Sequence, residues 1–229
     1  GKGIDGTKLT GNNNTAIGKD AGLLLQGAAT NNTLVGKSCG DALTLGNDNT
    51  AVGRDALTAD TKGGSSVAIG DGALSTQNFT SATDVFNVAV GRLAGEANVS
   101  GASNTFIGGL AGRAVTGGSN TAVGAAAMDA AVSGTQNTAV GVNCLGAANG
   151  AANNNTAVGV QAGASVTTGD NNLLLGLDAG QTGSPGGAQT TGNGSICLGD
   201  ENIGDAYIQV DWTVASDQRD KTDFTALDL

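Results

Sequence analysis

One five-residue pattern organises the chain: a polar residue, a β-branched or aliphatic residue, a small or apolar residue, a branched aliphatic residue and a glycine, as in Asn120-Thr121-Ala122-Val123-Gly124. Eleven versions end at Gly18, Gly36, Gly53, Gly70, Gly91, Gly108, Gly124, Gly141, Gly159, Gly176 and Gly199, spaced 16 to 23 residues apart. Such a period predicts a solenoid in which each copy supplies one turn of a stack. Within a copy, the residue before the glycine is always branched and aliphatic, from Ile17 to Leu198. Two residues earlier stands Thr, Val, Leu or Ile, as in Thr15, Thr50, Val67, Val88 and Ile196. This period-two alternation predicts a short strand of about three to five residues. The expected fold is therefore all-β, a parallel β-solenoid (β-roll) of about eleven coils over residues 14–199. With strands about 4.8 Å apart, the stack would be about 50 Å long.

The position between those two alternating residues reads Ala16, Leu34, Ala51, Ala68, Ala89, Phe106, Ala122, Ala139, Ala157, Leu174 and Cys197, never a polar residue. An ordinary surface strand carries polar residues on its outer face. The pattern predicts a strand buried on both faces, with Thr121 and Val123 inside the coil and Ala122 against a neighbouring chain. It also predicts a homo-oligomer, because so short a coil cannot wrap both sides of its own strand. The glycine is expected at a corner that needs a positive φ or a close backbone approach. The charged pair after it (Lys19, Asp20, Arg54, Asp55, Asp71, Arg92) is expected in solvent. Asparagine-rich loops such as Asn12-Asn13-Asn14 and Asn153-Asn154-Asn155 are expected to form ladders along the stack. Longer intervals at 75–86, with Phe79 and Phe86, and at 181–192 predict bulging loops. The first loop is either a ligand contact or a cover over the core.

Composition narrows the picture. Forty glycines, one proline and 3% aromatic residues suit a thin core of stacked small side chains rather than a rounded one. A net charge of −10 with ten scattered Lys and Arg offers no basic face for nucleic acid. No apolar run approaches the ~20 residues needed to span a bilayer. The start, Gly1-Lys2-Gly3-Ile4-Asp5, lacks an initiator Met and a signal-peptide core, as expected of a fragment or processed product. Cys39 and Cys144 replace an alanine three residues after a repeat glycine, and Cys197 replaces one two residues before. All three read as small buried apolar residues, and with no histidine in the chain no cofactor or metal is called for. A calcium reading of the Asn/Asp loops departs from the glycine-and-aspartate nonapeptide rule. Carbohydrate cleavage would need paired carboxylates in a cleft. An ice-binding column of Thr15, Thr33, Thr50, Thr105, Thr121 and Thr138 fails because those threonines occupy the inward strand register.

Charge shifts after residue 199: residues 1–199 hold twelve acids and eight bases, residues 200–229 eight acids and two bases. Residues 1–13 are a lead-in. Residues 200–215 form a transition, where Ala206-Tyr207-Ile208-Gln209-Val210-Asp211-Trp212 alternates as a capping strand with the only Tyr and Trp. Residues 216–229 follow, with Ser216 and Lys221 five apart. On spacing alone this is either a turn or helix cap with surface ion pairs, or a serine–lysine dyad.

The run Ser216-Asp217-Gln218-Arg219-Asp220-Lys221, with Phe224 beyond, resembles the opening of the C-terminal intramolecular chaperone domain of endosialidases and phage tail spikes and fibres. The resemblance implies a trimeric β-structured shaft ahead of a chaperone that removes itself by cleavage after Ser216. In it Ser216 is the nucleophile, Lys221 the general base, and Asp217 and Arg219 support the loop. It covers about fourteen residues and stops short of the helical chaperone body. The repeats at 14–199 are similar to the heads of trimeric autotransporter adhesins, which also implies three chains, intertwined or side by side. Together these imply a homotrimeric tail fibre or spike in the virion tail. Its partners would be other tail proteins and a host cell-surface receptor, of glycan or other kind. The alternative is an adhesin head on a bacterial surface. Neither inserts in a membrane through this segment or binds nucleic acid.

Overall fold

The computed structural model describes residues 11–205 except 26–27, 131–132, 148–149 and 185. The first ten residues, the capping strand expected at 206–212, and Ser216, Asp217, Arg219 and Lys221 lie outside the described residues.

The chain winds into an all-β parallel solenoid. Eleven strands, one per repeat, stack in sequence order in a single parallel sheet. They run from Thr15–Ile17 to Ile196–Leu198, and each is three residues long. Register follows the repeat, so Thr121, Ala122 and Val123 pair with Thr138, Ala139 and Val140 of the next coil. The strands are short because the corner glycine follows at once. From Gly18 to Gly176 these corners have φ between 112° and 144°. A Cβ on Gly124 would also lie 2.5 Å from the carbonyl oxygen of Gly141, so both reasons for glycine hold at the same position. A second, two-stranded sheet pairs Gly63–Gly64 with Thr83–Asp84 of the first long interval.

The strand faces are the reverse of the sequence expectation. The central residues Leu34, Ala51, Ala68, Ala89, Phe106, Ala122, Ala139, Ala157 and Leu174 are fully buried inside the roll. Threonine and the terminal aliphatic residue point outward, and Thr121 and Val123 are only half-buried. The physical reason is the width of the coil. A turn of so few residues brings its opposing walls close together, and a column of alanines fits between them where a column of valines would not. Opposite the sheet, Cys39, Ala56, Ala73, Ala94, Ala111, Ala127, Cys144, Ala162 and Ala179 complete the interior. The cysteines thus pack as small apolar residues, and none of the three is in a disulfide.

A second interior column explains how Leu and Phe enter an alanine core. Four residues after each corner the backbone is left-handed, with φ between 49° and 78°. The residue there is Gly22, Gly40, Leu57, Leu74, Gly95, Gly112, Met128, Leu145, Gly163 or Gly180. Each lies between the central residue of its own strand and that of the next. A Cβ on Gly22 or Gly40 would come within 2.9–3.0 Å of Leu34, and one on Gly163 or Gly180 within 2.8 Å of Leu174. A Cβ on Gly95 would reach within 2.7 Å of the Phe106 ring, and one on Gly112 would overlap it. Every glycine in this column borders a large central residue, whereas every Leu or Met stands between two alanines. Holding a leucine left-handed costs about 1–2 kcal/mol, while burying it returns about 1.5–3 kcal/mol, so the leucine is kept only where there is room for it. Leu34, Phe106 and Leu174 are four coils apart, and the interior alternates with that period.

The expected polar ladder is present and buried. Asn32, Asn49, Asn104, Asn120, Asn137, Asn155 and Asn172 precede their strands with almost no exposure. Oδ1 of Asn120 accepts from the backbone N–H (3.0 Å) and Nδ2 (3.1 Å) of Asn137, whose Nδ2 also donates to the Ala152 carbonyl at 2.7 Å. The same contacts recur at Asn155 and Asn172. Each amide satisfies backbone groups that a buried loop would otherwise leave unpaired. One coil has Ser66 in place of asparagine, and Gln77 bridges the gap. Its Nε2 donates to Ser66 Oγ (3.1 Å) and Asp60 (2.6 Å), and its Oε1 accepts from Asn87 (2.8 Å).

Candidate interaction face

Outward rotation of the terminal aliphatic residues creates the most distinctive surface of the molecule. Ile17, Val35, Val52, Ile69, Val90, Ile107, Val123, Val140, Val158, Leu175 and Leu198 follow one another up the sheet, one per strand. Eight of them are between 36% and 61% exposed. Beside this column run Thr15, Thr33, Thr50, Val67, Val88, Thr105, Thr121, Thr138, Thr156, Leu173 and Ile196. The threonines are thus outward, and an inward orientation no longer counts against an ice-binding array. The hydroxyl column is nevertheless broken by four aliphatic residues, whereas the aliphatic column has no break. A contiguous apolar strip of this length is unusual on a lone soluble chain and marks a surface that packs against something.

Charge lies to one side of the strip in the first coils. Arg54 contacts Asp55 at 2.5 Å and Asp71 at 2.7 Å, Arg92 lies 3.9 Å from Asp71, and Lys19 is 3.8 Å from Asp20. Lys19, Arg54 and Arg92 are exposed and their acidic partners half-exposed, close to the expectation of solvent exposure. Partial burial, with Asp55 and Asp20 nearby, raises the Asp41 carboxyl above its usual range.

The two long intervals differ. In the first, Val85 and Gln77 are buried, while Phe86 is 60% exposed. Leu45, Asn47, Lys62, Ala82, Thr83 and Asp84 line an open cleft of about 210 Å³ there. In the second, buried Ser184 accepts from Gln181 N–H (3.1 Å) and donates to the Asp178 carbonyl (2.8 Å), folding the loop on itself. Among the described residues no cluster of three or more His, Cys, Asp or Glu is arranged to hold a metal. Burial pushes the Cys39 thiol up to about 11 and the Cys144 thiol up to about 12, so neither is a nucleophile at neutral pH. No described helix is long and apolar enough to cross a membrane.

These features define a parallel β-solenoid repeat protein, an architecture compatible with a structural or adhesive role. No protein-family model, curated protein or solved structure matches the chain.

Proposed function

We propose that this chain is a shaft segment of a homotrimeric fibre, of the phage tail fibre or spike type, that holds an attachment apparatus away from the particle bearing it. The observation that carries the reading is the unbroken outward column from Ile17 to Leu198. It runs the length of the sheet, and among the described residues eight of its eleven members are left exposed. Identical chains aligned side by side around an axis parallel to the stack present the same column at the same heights, so each turn meets its equivalent. Three copies agree with the resemblance of the repeats to trimeric shafts and heads. The Ser216–Lys221 run supplies the rest: cleavage after Ser216 would release a downstream chaperone once the chains are in register.

Sedimentation or light-scattering mass of the purified protein tests the assembly, and the expected mass is three times that of the 22.0 kDa chain. A monomer would overturn it and leave the threonine column as a free face, to be tested by inhibition of ice recrystallisation. For the junction, the full gene product with any downstream domain should yield a new C-terminus at Ser216 by mass spectrometry, abolished by Ser216→Ala. An intact wild-type product removes Ser216 and Lys221 from any catalytic role. A bacterial adhesin head is the alternative, and sequence beyond Leu229 separates the two: heptads and a membrane anchor for the adhesin, a chaperone for the fibre.

A further inference from the structure

The outward face changes character along the stack. The residue after each corner glycine reads Lys19, Lys37, Arg54, Asp71 and Arg92 in the first five coils, then Gly109 and Ala125, then Val142, Val160 and Leu177, and last Asp200, which is buried. Val142, Val160 and Leu177 are 44%, 46% and 55% exposed. They flank Val140, Val158 and Leu175 across the corner, and these are themselves 36–40% exposed. The threonine column keeps Thr138 and Thr156 in the first two of these coils and turns into Leu173 in the third and Ile196, 60% exposed, in the last coil of the stack. The apolar surface extends past the corner only in the eighth to tenth coils; in the first five the corner position is charged, although Val67 and Val88 widen the strand side of the fourth and fifth.

The edge of the early coils needs no partner, because Arg54, Arg92 and Lys19 each have an acid of their own chain within 4 Å. The later edge offers Val142, Val160 and Leu177 in three successive coils and returns to an acid only at the buried Asp200 of the last. From this we infer that a second copy of the same chain docks over the strand face and the corner column together in the eighth to tenth coils and over the strand face alone in the first five, so that the assembly is held mainly by its C-terminal half. The inference rests on the strand column being an interface between copies. It commits to a second copy because the wider patch is continuous with that column and repeats at the same strand spacing, which a partner lacking the repeat would not match.

The test is the triple variant Val142→Asp/Val160→Asp/Leu177→Asp, with Lys37→Asp in the same column as the early-coil control. Both are compared with the wild-type chain by sedimentation equilibrium across a dilution series. A charge on a packed apolar interface costs enough that the triple variant is expected to dissociate at concentrations at least about tenfold higher than wild type. Lys37→Asp should stay within about twofold. Thermal melts of the dilute, dissociated chains keep folding separate from association, since all three residues are exposed and their replacement should leave the monomer melt unchanged. If wild type associates and the triple variant associates equally well, the widened contact is wrong while the trimer stands. If Lys37→Asp weakens association as much as the triple variant, the two halves contribute alike and the inference falls. A monomeric wild type removes the trimer reading and this inference together.

Discussion

Two kinds of coil share one backbone. Around Phe106 the strand centre is large and the flanking left-handed positions, Gly95 and Gly112, have no side chain. Around Ala139 the centre is small and the same positions hold Met128 and Leu145, both buried. The comparison teaches that volume is conserved locally, between adjacent coils, rather than over the core as a whole. A residue is acceptable or not according to its neighbour one coil away.

Deletions should expose that dependence most sharply. Removing residues 109–124 takes out one coil and sets Met128 beside Phe106, two large groups in one space. Removing residues 125–141 also takes out one coil but sets Leu145 between Ala122 and Ala157, which keeps the rule. The first deletion is expected to lose cooperative thermal unfolding and the second to retain it. Equal melts for both would mean that the interior tolerates mismatch. Next in size, Phe106→Ala should destabilise by about 3–5 kcal/mol in denaturant titrations, through the cavity it leaves. Gly112→Leu alone should cost about 2–4 kcal/mol from overpacking and a left-handed backbone. Combined, the two should cost about 1–3 kcal/mol less than their sum, because the introduced leucine side chain then stands between two alanines. Strict additivity would break the volume argument.

The asparagine ladder sharpens the comparison from the other side. Asn104→Ala in the Phe106 coil and Asn137→Ala in the Ala139 coil each remove an acceptor from a buried backbone N–H and a donor from a buried carbonyl. Both should cost about 1–3 kcal/mol per buried group left unpaired. Asn137→Ala should cost the more, since Asn137 also carries amide-to-amide bonds with Asn120 and Asn155 for which Asn104 has no counterpart among the described residues. The smallest effect concerns the thiols, with Cys39 in a leucine-centred coil and Cys144 in an alanine-centred one. Each has a folded pKa above its ordinary 9.0 and is therefore neutral in the fold where an unfolded chain would ionise. Ionisation favours unfolding, so their contribution to stability is full below about pH 9 and falls as pH rises towards 11 or 12. Native protein at about pH 8 should leave both thiols unlabelled by iodoacetamide, and rapid labelling of either would show that its coil opens.

Much of this is legible in the sequence. The period, the eleven strands, their parallel stacking, the corner glycines and the buried ladder all follow from spacing and residue type. The orientation of the strand does not. Valine and isoleucine are the usual core residues and alanine a usual filler, so residue type alone puts Val123 in the interior and Ala122 against a neighbour. Alternation shows that two residues share a face but not which face is inside, and in so thin a roll size decides against the larger one. The four-coil alternation is visible in the left-handed column, as pairs of glycines alternating with pairs of Leu or Met, once that column is known. It is hidden otherwise, because Leu57 and Gly40 look unrelated until both are seen against their strand centres. The apolar face carrying the functional reading shows in the sequence as an apolar strand with two buried sides. The structure assigns the outward side to other residues.

The asparagine ladder also has a direction. From Asn32 onwards the ladder's amide oxygens accept from the backbone N–H of the following coil. In the steps from Asn120 to Asn172, Nδ2 of that coil also points back, as from Asn155 to Asn137 and from Asn172 to Asn155. The backbone bonds of the strands run both ways along the stack, as Gly141 N–H to the Val123 carbonyl and Thr121 N–H to the Asn137 carbonyl show, and their dipoles largely cancel. The amides do not cancel. From Asn120 to Asn172 they form a row of amide-to-amide bonds inside a low-dielectric wall, where each polarises the next, with the carbonyl end towards Ser195, whose N–H closes the row on Asn172. The stack is therefore an electrically polar object whose two ends differ even where the repeats look alike.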